Sequence, residues 1–153
     1  MRIIVDPKWS KILKVVSIIM TILVFISMII AFPLSKTLVD KEIAKAGYDA
    51  YEAKAFRSTV NVTLIIIMMG VIVFQAFVLV AGLRCSFNGE WRIGTIVFGI
   101  IGTASGVFSI LKAVTIPVSL VINLISLVLE ILYLVAAINC RPIVLKDDTE
   151  SNL

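Results

Sequence analysis

The sequence predicts an all-α integral membrane protein, a four-transmembrane-helix bundle with a helical outer loop between helices 1 and 2. Three observations predict it. Hydrophobic residues make up 60% of the chain, charged residues only 16%, and mean hydropathy is +1.10; a soluble domain carries about 45–50% apolar and about 25% charged residues. The apolar excess is gathered into four blocks of roughly 20 residues, each long enough at ~1.5 Å per residue to cross the ~30 Å hydrocarbon core. The blocks lack the alternation of barrel strands, and lipid leaves only helices or closed barrels to satisfy the backbone.

The chain therefore reads as a single four-span membrane domain over residues 1–153. Its spans lie at about 12–32, 62–83, 93–111 and 117–138, with an outer loop at 33–61 and short tails at 1–11 and 139–153. Lys8, Lys11 and Lys14 at the start of the first block resemble the charged region of a signal peptide. The apolar run that follows exceeds the roughly 7–15 residues of a signal core, and no small-x-small cleavage site succeeds it. It is read as a retained span.

The segment "PLSKTLVDKEIAKAGYDAYEAKAFRSTV" after the first span is rich in helix formers. Val39, Ile43, Ala46, Ala50, Ala53 and Val60 recur at helical spacing and form one stripe. Both ends of the segment must return to the membrane, so one straight projecting helix cannot serve. The preferred reading is two short arms that continue the first and second spans and turn near Gly47-Tyr48-Asp49; the alternative is an amphipathic helix flat on the outer leaflet. The arms either cap the bundle or form a docking surface with Tyr48, Tyr51 and Phe56 as aromatic anchors. Asn61-Val62-Thr63 matches the glycosylation pattern, but it abuts the second span and no glycan is expected.

Asn88-Gly89 marks a tight turn between spans two and three. In the third span, Thr95, Gly99, Gly102, Gly106, Ser109 and Ala113 repeat at steps of four and three. They form a small-residue face of the kind that lets membrane helices approach closely. Pro117 opens the fourth span, where a missing N–H does no harm. Along that span Ser119, Asn123, Ser126 and Glu130 follow the same spacing and share one face. The small face and the polar face are expected to meet.

Glu130 is the most costly residue in these faces. It lies ~20 Å inward from the start of its span at ~1.5 Å per residue, level with Gln75 of the second span, to which it is expected to hydrogen-bond. A charge at mid-bilayer costs at least ~2.5–3.5 kcal/mol, and an intramembrane acid is a functional candidate by default. Neither Lys14 nor Lys112 is placed to neutralise it. Gln75, Ser119, Asn123, Ser126 and Glu130 are thus the candidate intramembrane polar site.

Eight basic residues fall on the side of the termini and six on the other, and those of the first helix all stand at its beginning. By the positive-inside rule both termini are expected in the cytoplasm, in the plasma membrane. Trp9 and Trp91 fall at span starts on that side, where an indole prefers the headgroup layer. The net charge of +4 is then juxtamembrane charge, and no nucleic-acid partner is expected. Cys85 and Cys140 lie at span ends on the same side. A disulfide is not expected in a reducing cytosol; they are candidates for lipidation beside Arg84 and Arg141, or plain thiols.

The chain has no histidine and only two cysteines, so no metal or other cofactor is expected and catalysis is not. The partners expected are the lipid bilayer and either further copies of the chain or a larger membrane protein. Two functions follow. One is a non-enzymatic, oligomerising or accessory subunit of a membrane complex. The other is an oligomeric channel or proton- or ion-coupled transporter using Glu130. The four-span plan resembles tetraspan families such as the MARVEL group in architecture alone. The outer-segment cysteine, tryptophan and glycine motifs of claudins and tetraspanins are missing, and the resemblance implies no function.

Overall fold

The computed structural model describes residues 2–113 and 117–145, with side chains over 5–111 and 121–143. In chain order it contains β1 (Arg2–Val5), α1 (Pro7–Ala46), α2 (Ala50–Asn88), α3 (Arg92–Ala113), α4 (Pro117–Asn139) and β2 (Pro142–Leu145). All four helices are long and apolar enough to cross a membrane. The protein is a multi-pass, all-helical membrane chain in every element except two short strands.

The element boundaries differ from those expected. α1 has 40 residues and α2 has 39, each ~60 Å at ~1.5 Å per residue and about twice the hydrocarbon thickness. The outer loop expected at 33–61 does not stand as an element of its own. Nearly all of it is absorbed into α1 and α2, which leaves residues 47–49 between them. The local reasons are legible. Gly47 takes the left-handed conformation (φ 67°), and its N–H reaches the Ile43 carbonyl at 3.2 Å, closing α1. Asp49 then caps α2 reciprocally: its Oδ1 accepts from the Glu52 N–H at 2.8 Å, and Glu52 Oε2 accepts from the Asp49 N–H at 3.2 Å. Pro33 lies inside α1, where it removes one ladder donor. Ser35 and Thr37 hydroxyls donate to the Phe32 and Pro33 carbonyls there.

The tails also differ from expectation. α1 begins at Pro7, behind an Asp6 cap whose Oδ1 accepts from the Lys8 N–H at 2.9 Å. β1 and β2 pair antiparallel, Arg2 opposite Leu145 and Val5 opposite Pro142. The two ends of the described chain therefore lie side by side, as an even number of spans requires.

The chain divides into two compact units, Thr21–Ala76 and Met1–Met20 with Phe77–Leu153. The first is a helical hairpin. Arg57 pairs with Asp40 at 2.9 Å, the Tyr48 and Phe56 rings lie 5.6 Å apart, and Ile43 is its buried apolar residue. Val39, Ala53 and Val60 of the expected stripe are partly buried, whereas Ala46 and Ala50 at the turn are exposed.

The second unit holds the main core. Val5, Leu13, Val16, Val78, Ala81, Cys85, Tyr133, Ala136, Ala137 and Cys140 are buried in it. Ser10 Oγ donates to the Ser86 carbonyl at 2.6 Å and joins the start of α1 to the end of α2. Gly82 lets α2 approach closely, since a β-carbon there would run into the Ser17 hydroxyl and the Tyr133 ring. Gly89 (φ 72°) closes α2 and sits against Pro142, and Trp91 (φ 59°) precedes α3.

Candidate intramembrane site

α3 packs on α4, and of the expected polar face it is Glu130 that is seen against the small residues of α3. A β-carbon on Gly99 would lie 3.0 Å from Leu134 Cδ1 and 3.1 Å from its Cα, so only glycine fits without displacing backbone. One turn on, Gly102 faces the Glu130 side chain, with 3.6 Å from the position of a β-carbon to Cγ. Gly106 lies against Glu130 Oε2 itself. The two glycines remove the side chains that would otherwise fill the space the carboxyl group occupies.

Glu130 Oε2 is buried and has no hydrogen-bond partner. The reason is local: the glycines offer no side-chain donor, and backbone N–H groups in mid-helix are already used by the helix ladder. The side chain as a whole remains partly exposed. Asn123 and Ser126 lie on the same face of α4 and are likewise partly buried. The side chains of Ser119 and Ala113 fall outside the described ones.

The other candidates are distributed differently. Thr95 is fully buried but turns to α2, its hydroxyl donating to the Ala81 carbonyl at 3.0 Å and within reach of the Trp91 carbonyl at 2.9 Å. Ser109 is partly buried. Gln75 belongs to the hairpin unit and Glu130 to the other; within its own unit, Gln75 Nε2 donates to Thr21 Oγ1 at 3.2 Å.

Cys85 and Cys140 are free thiols and fully buried. Cys140 Sγ lies 3.6 Å from the Cys85 carbonyl oxygen. Burial pushes the Cys140 thiol up to about 12. An acylation target has to present its sulfur at the membrane surface, which neither cysteine does in this fold. Both serve as small core residues.

Two functional-looking residues escaped the sequence reading. Tyr133 is buried, and its hydroxyl donates to the Val78 carbonyl at 2.9 Å. Its signal was present: from Glu130 the steps of four and three continue through Tyr133, Ala137 and Cys140, and all three are buried. Arg92 reaches the open end of α4, donating from Nε to the Ala137 carbonyl at 3.3 Å and from Nη2 to the Ile138 carbonyl at 2.6 Å. A cation there complements the negative end of the helix. Only the fold could reveal that pairing.

Among the described residues no group of three or more His, Cys, Asp or Glu is placed to hold a metal ion. No family model, curated protein or solved structure matches the chain. The chemistry on offer is that of one carboxyl group set in a glycine-lined recess between two membrane helices.

Proposed function

We propose that the chain is a small, non-enzymatic, multi-pass subunit of the cell membrane that assembles with copies of itself or with a larger membrane protein. In this reading both termini face the cytoplasm and the distal arms of α1 and α2 stand outside. The basic residues favour that orientation, eight on the terminal side against six on the other.

The observation that carries the proposal is the Glu130 carboxyl group. One oxygen is shut against Gly106 without a donor, while the side chain is partly exposed at the depth of the hydrocarbon. Lipid cannot supply a hydrogen bond. A polar group of a neighbouring helix can, and such bonds between membrane helices are worth ~0.6–2 kcal/mol. A second chain closing over the exposed part of Glu130 therefore removes a penalty that an isolated copy bears. The test is the mass of the particle extracted in mild detergent. Wild type and Glu130→Gln are expected as assemblies, since an amide still bonds; Glu130→Leu is expected to shift to single copies. A wild-type monomer without any co-extracted partner contradicts the proposal.

The same unpaired carboxyl favours a second reading, an oligomeric channel or proton- or ion-coupled transporter in which Glu130 takes up and releases a proton. Glu130→Gln separates the two, because a carrier loses pH-dependent flux in proteoliposomes and an assembly contact does not. Liposomes that conduct nothing across a pH or ion gradient eliminate this second reading.

A further inference from the structure

We propose that the end of the bundle carrying the paired termini binds the phosphate-bearing headgroup of an anionic phospholipid, through Lys8, Lys11 and Lys14 of α1 and Arg84 of α2. All four belong to one compact unit, and the Ser10–Ser86 hydrogen bond ties the start of α1 to the end of α2. Lys14 Nζ stands 5.1 Å from the centre of the Phe87 ring, Arg84 is 5.6 Å from that of Trp91, and Lys8 is 5.6 Å from that of Trp9. Phe87 and Trp91 are themselves 68% and 49% exposed. Trp9 is partly buried against the core, so Phe87 and Trp91 supply the exposed apolar surface. Cations beside such rings at the ends of apolar helices fit an amphiphile, the phosphate meeting the N–H donors and the acyl chain meeting the rings.

Charge selects the anionic class of lipid. Among the residues with described side chains this end carries six basic groups, Lys8, Lys11, Lys14, Arg84, Arg92 and Arg141, against two acids, Asp6 and Glu90. Arg92 is engaged with the carbonyls of α4. The ion pair seen among the described residues, Asp40–Arg57, lies in the other unit. There the lysines alternate with Asp40, Glu42, Asp49 and Glu52, and no comparable excess builds up.

The chain supplies its own reporters, since its two tryptophans, Trp9 and Trp91, both stand at this end. The full chain is reconstituted in phosphatidylcholine containing either brominated phosphatidylglycerol or brominated phosphatidylcholine at equal mole fraction, and indole quenching gives the relative binding constant. Wild type is expected to favour the anionic lipid, by roughly fivefold per contributing lysine near the surface. The preference is expected to fall steeply in Lys8→Gln/Lys11→Gln/Lys14→Gln, to the remainder that Arg84 alone supports, and to weaken in the single variant Arg84→Gln. It should survive in Lys36→Gln/Lys41→Gln/Lys45→Gln. Inorganic phosphate added at constant ionic strength should leave it unchanged. Equal quenching by the two lipids in wild type, an undiminished preference in the Lys8/Lys11/Lys14 variant, or its abolition by free phosphate overturns the proposal.

Discussion

The space around individual glycines decides how α3 and α4 meet. Gly99 has Leu134 backbone within 3.1 Å of where a β-carbon would stand, whereas Gly94, on the same helix, has nothing within 4 Å. Gly99→Ala should therefore cost about 1–3 kcal/mol through overpacking, and Gly94→Ala should be neutral or slightly stabilising. Reversible unfolding in mixed micelles measures both; equal effects would mean that α3 does not present this face to α4. Cys140 makes a second prediction at this scale. Its folded value of about 12 lies above the ordinary thiol value of 9.0, because burial disfavours the thiolate. The stability linked to this group is fully present below pH ~9 and falls as pH rises from there toward ~12. At neutral pH a maleimide should label neither cysteine of the folded protein and both after denaturation. Rapid labelling of the native protein would refute the buried placement.

At the scale of elements, the four apolar helices were legible because lipid imposes a simple length and composition rule. The helical turn regions were legible in part: Gly47 was readable as the break between the arms, but the reciprocal Asp49–Glu52 cap that restarts the helix depends on geometry across four residues. Treating 33–61 as a loop followed hydropathy, which falls in that segment, although helix propensity does not. Gly47→Val should destabilise the hairpin by about 1–2 kcal/mol, the cost of a left-handed conformation for a residue with a β-carbon. Gly70→Ala, in open space, should not. Loss of helical circular dichroism on heating is the readout. The strands were not legible at all. "RIIV" and "PIVL" are four-residue apolar runs at opposite ends of the sequence, and nothing local in either indicates its partner. In α4 the polar stripe from Ser119 to Glu130 continues into a buried stretch that is not polar. Tyr133, Ala137 and Cys140 continue the same spacing, and polarity alone was the wrong criterion for extending it.

For the whole molecule, the β1–β2 pairing makes a statement about topology that hydropathy reached only by counting spans. The paired segments 2–5 and 142–145 must lie on one side of the membrane. Tags placed at each terminus should therefore be digested together by protease added to that side, and both should be protected from the other. Split accessibility would break the four-span account. The proposed assembly turns on Glu130, whose Oε2 lies against Gly106 without a donor while the side chain is partly exposed. It is tested most directly by energy transfer between donor- and acceptor-labelled copies in liposomes as the protein-to-lipid ratio is lowered. The account predicts transfer that persists on dilution for wild type and Glu130→Gln and falls to the random-proximity level for Glu130→Leu. Transfer at the random level for wild type, or undiminished transfer for Glu130→Leu, would contradict it.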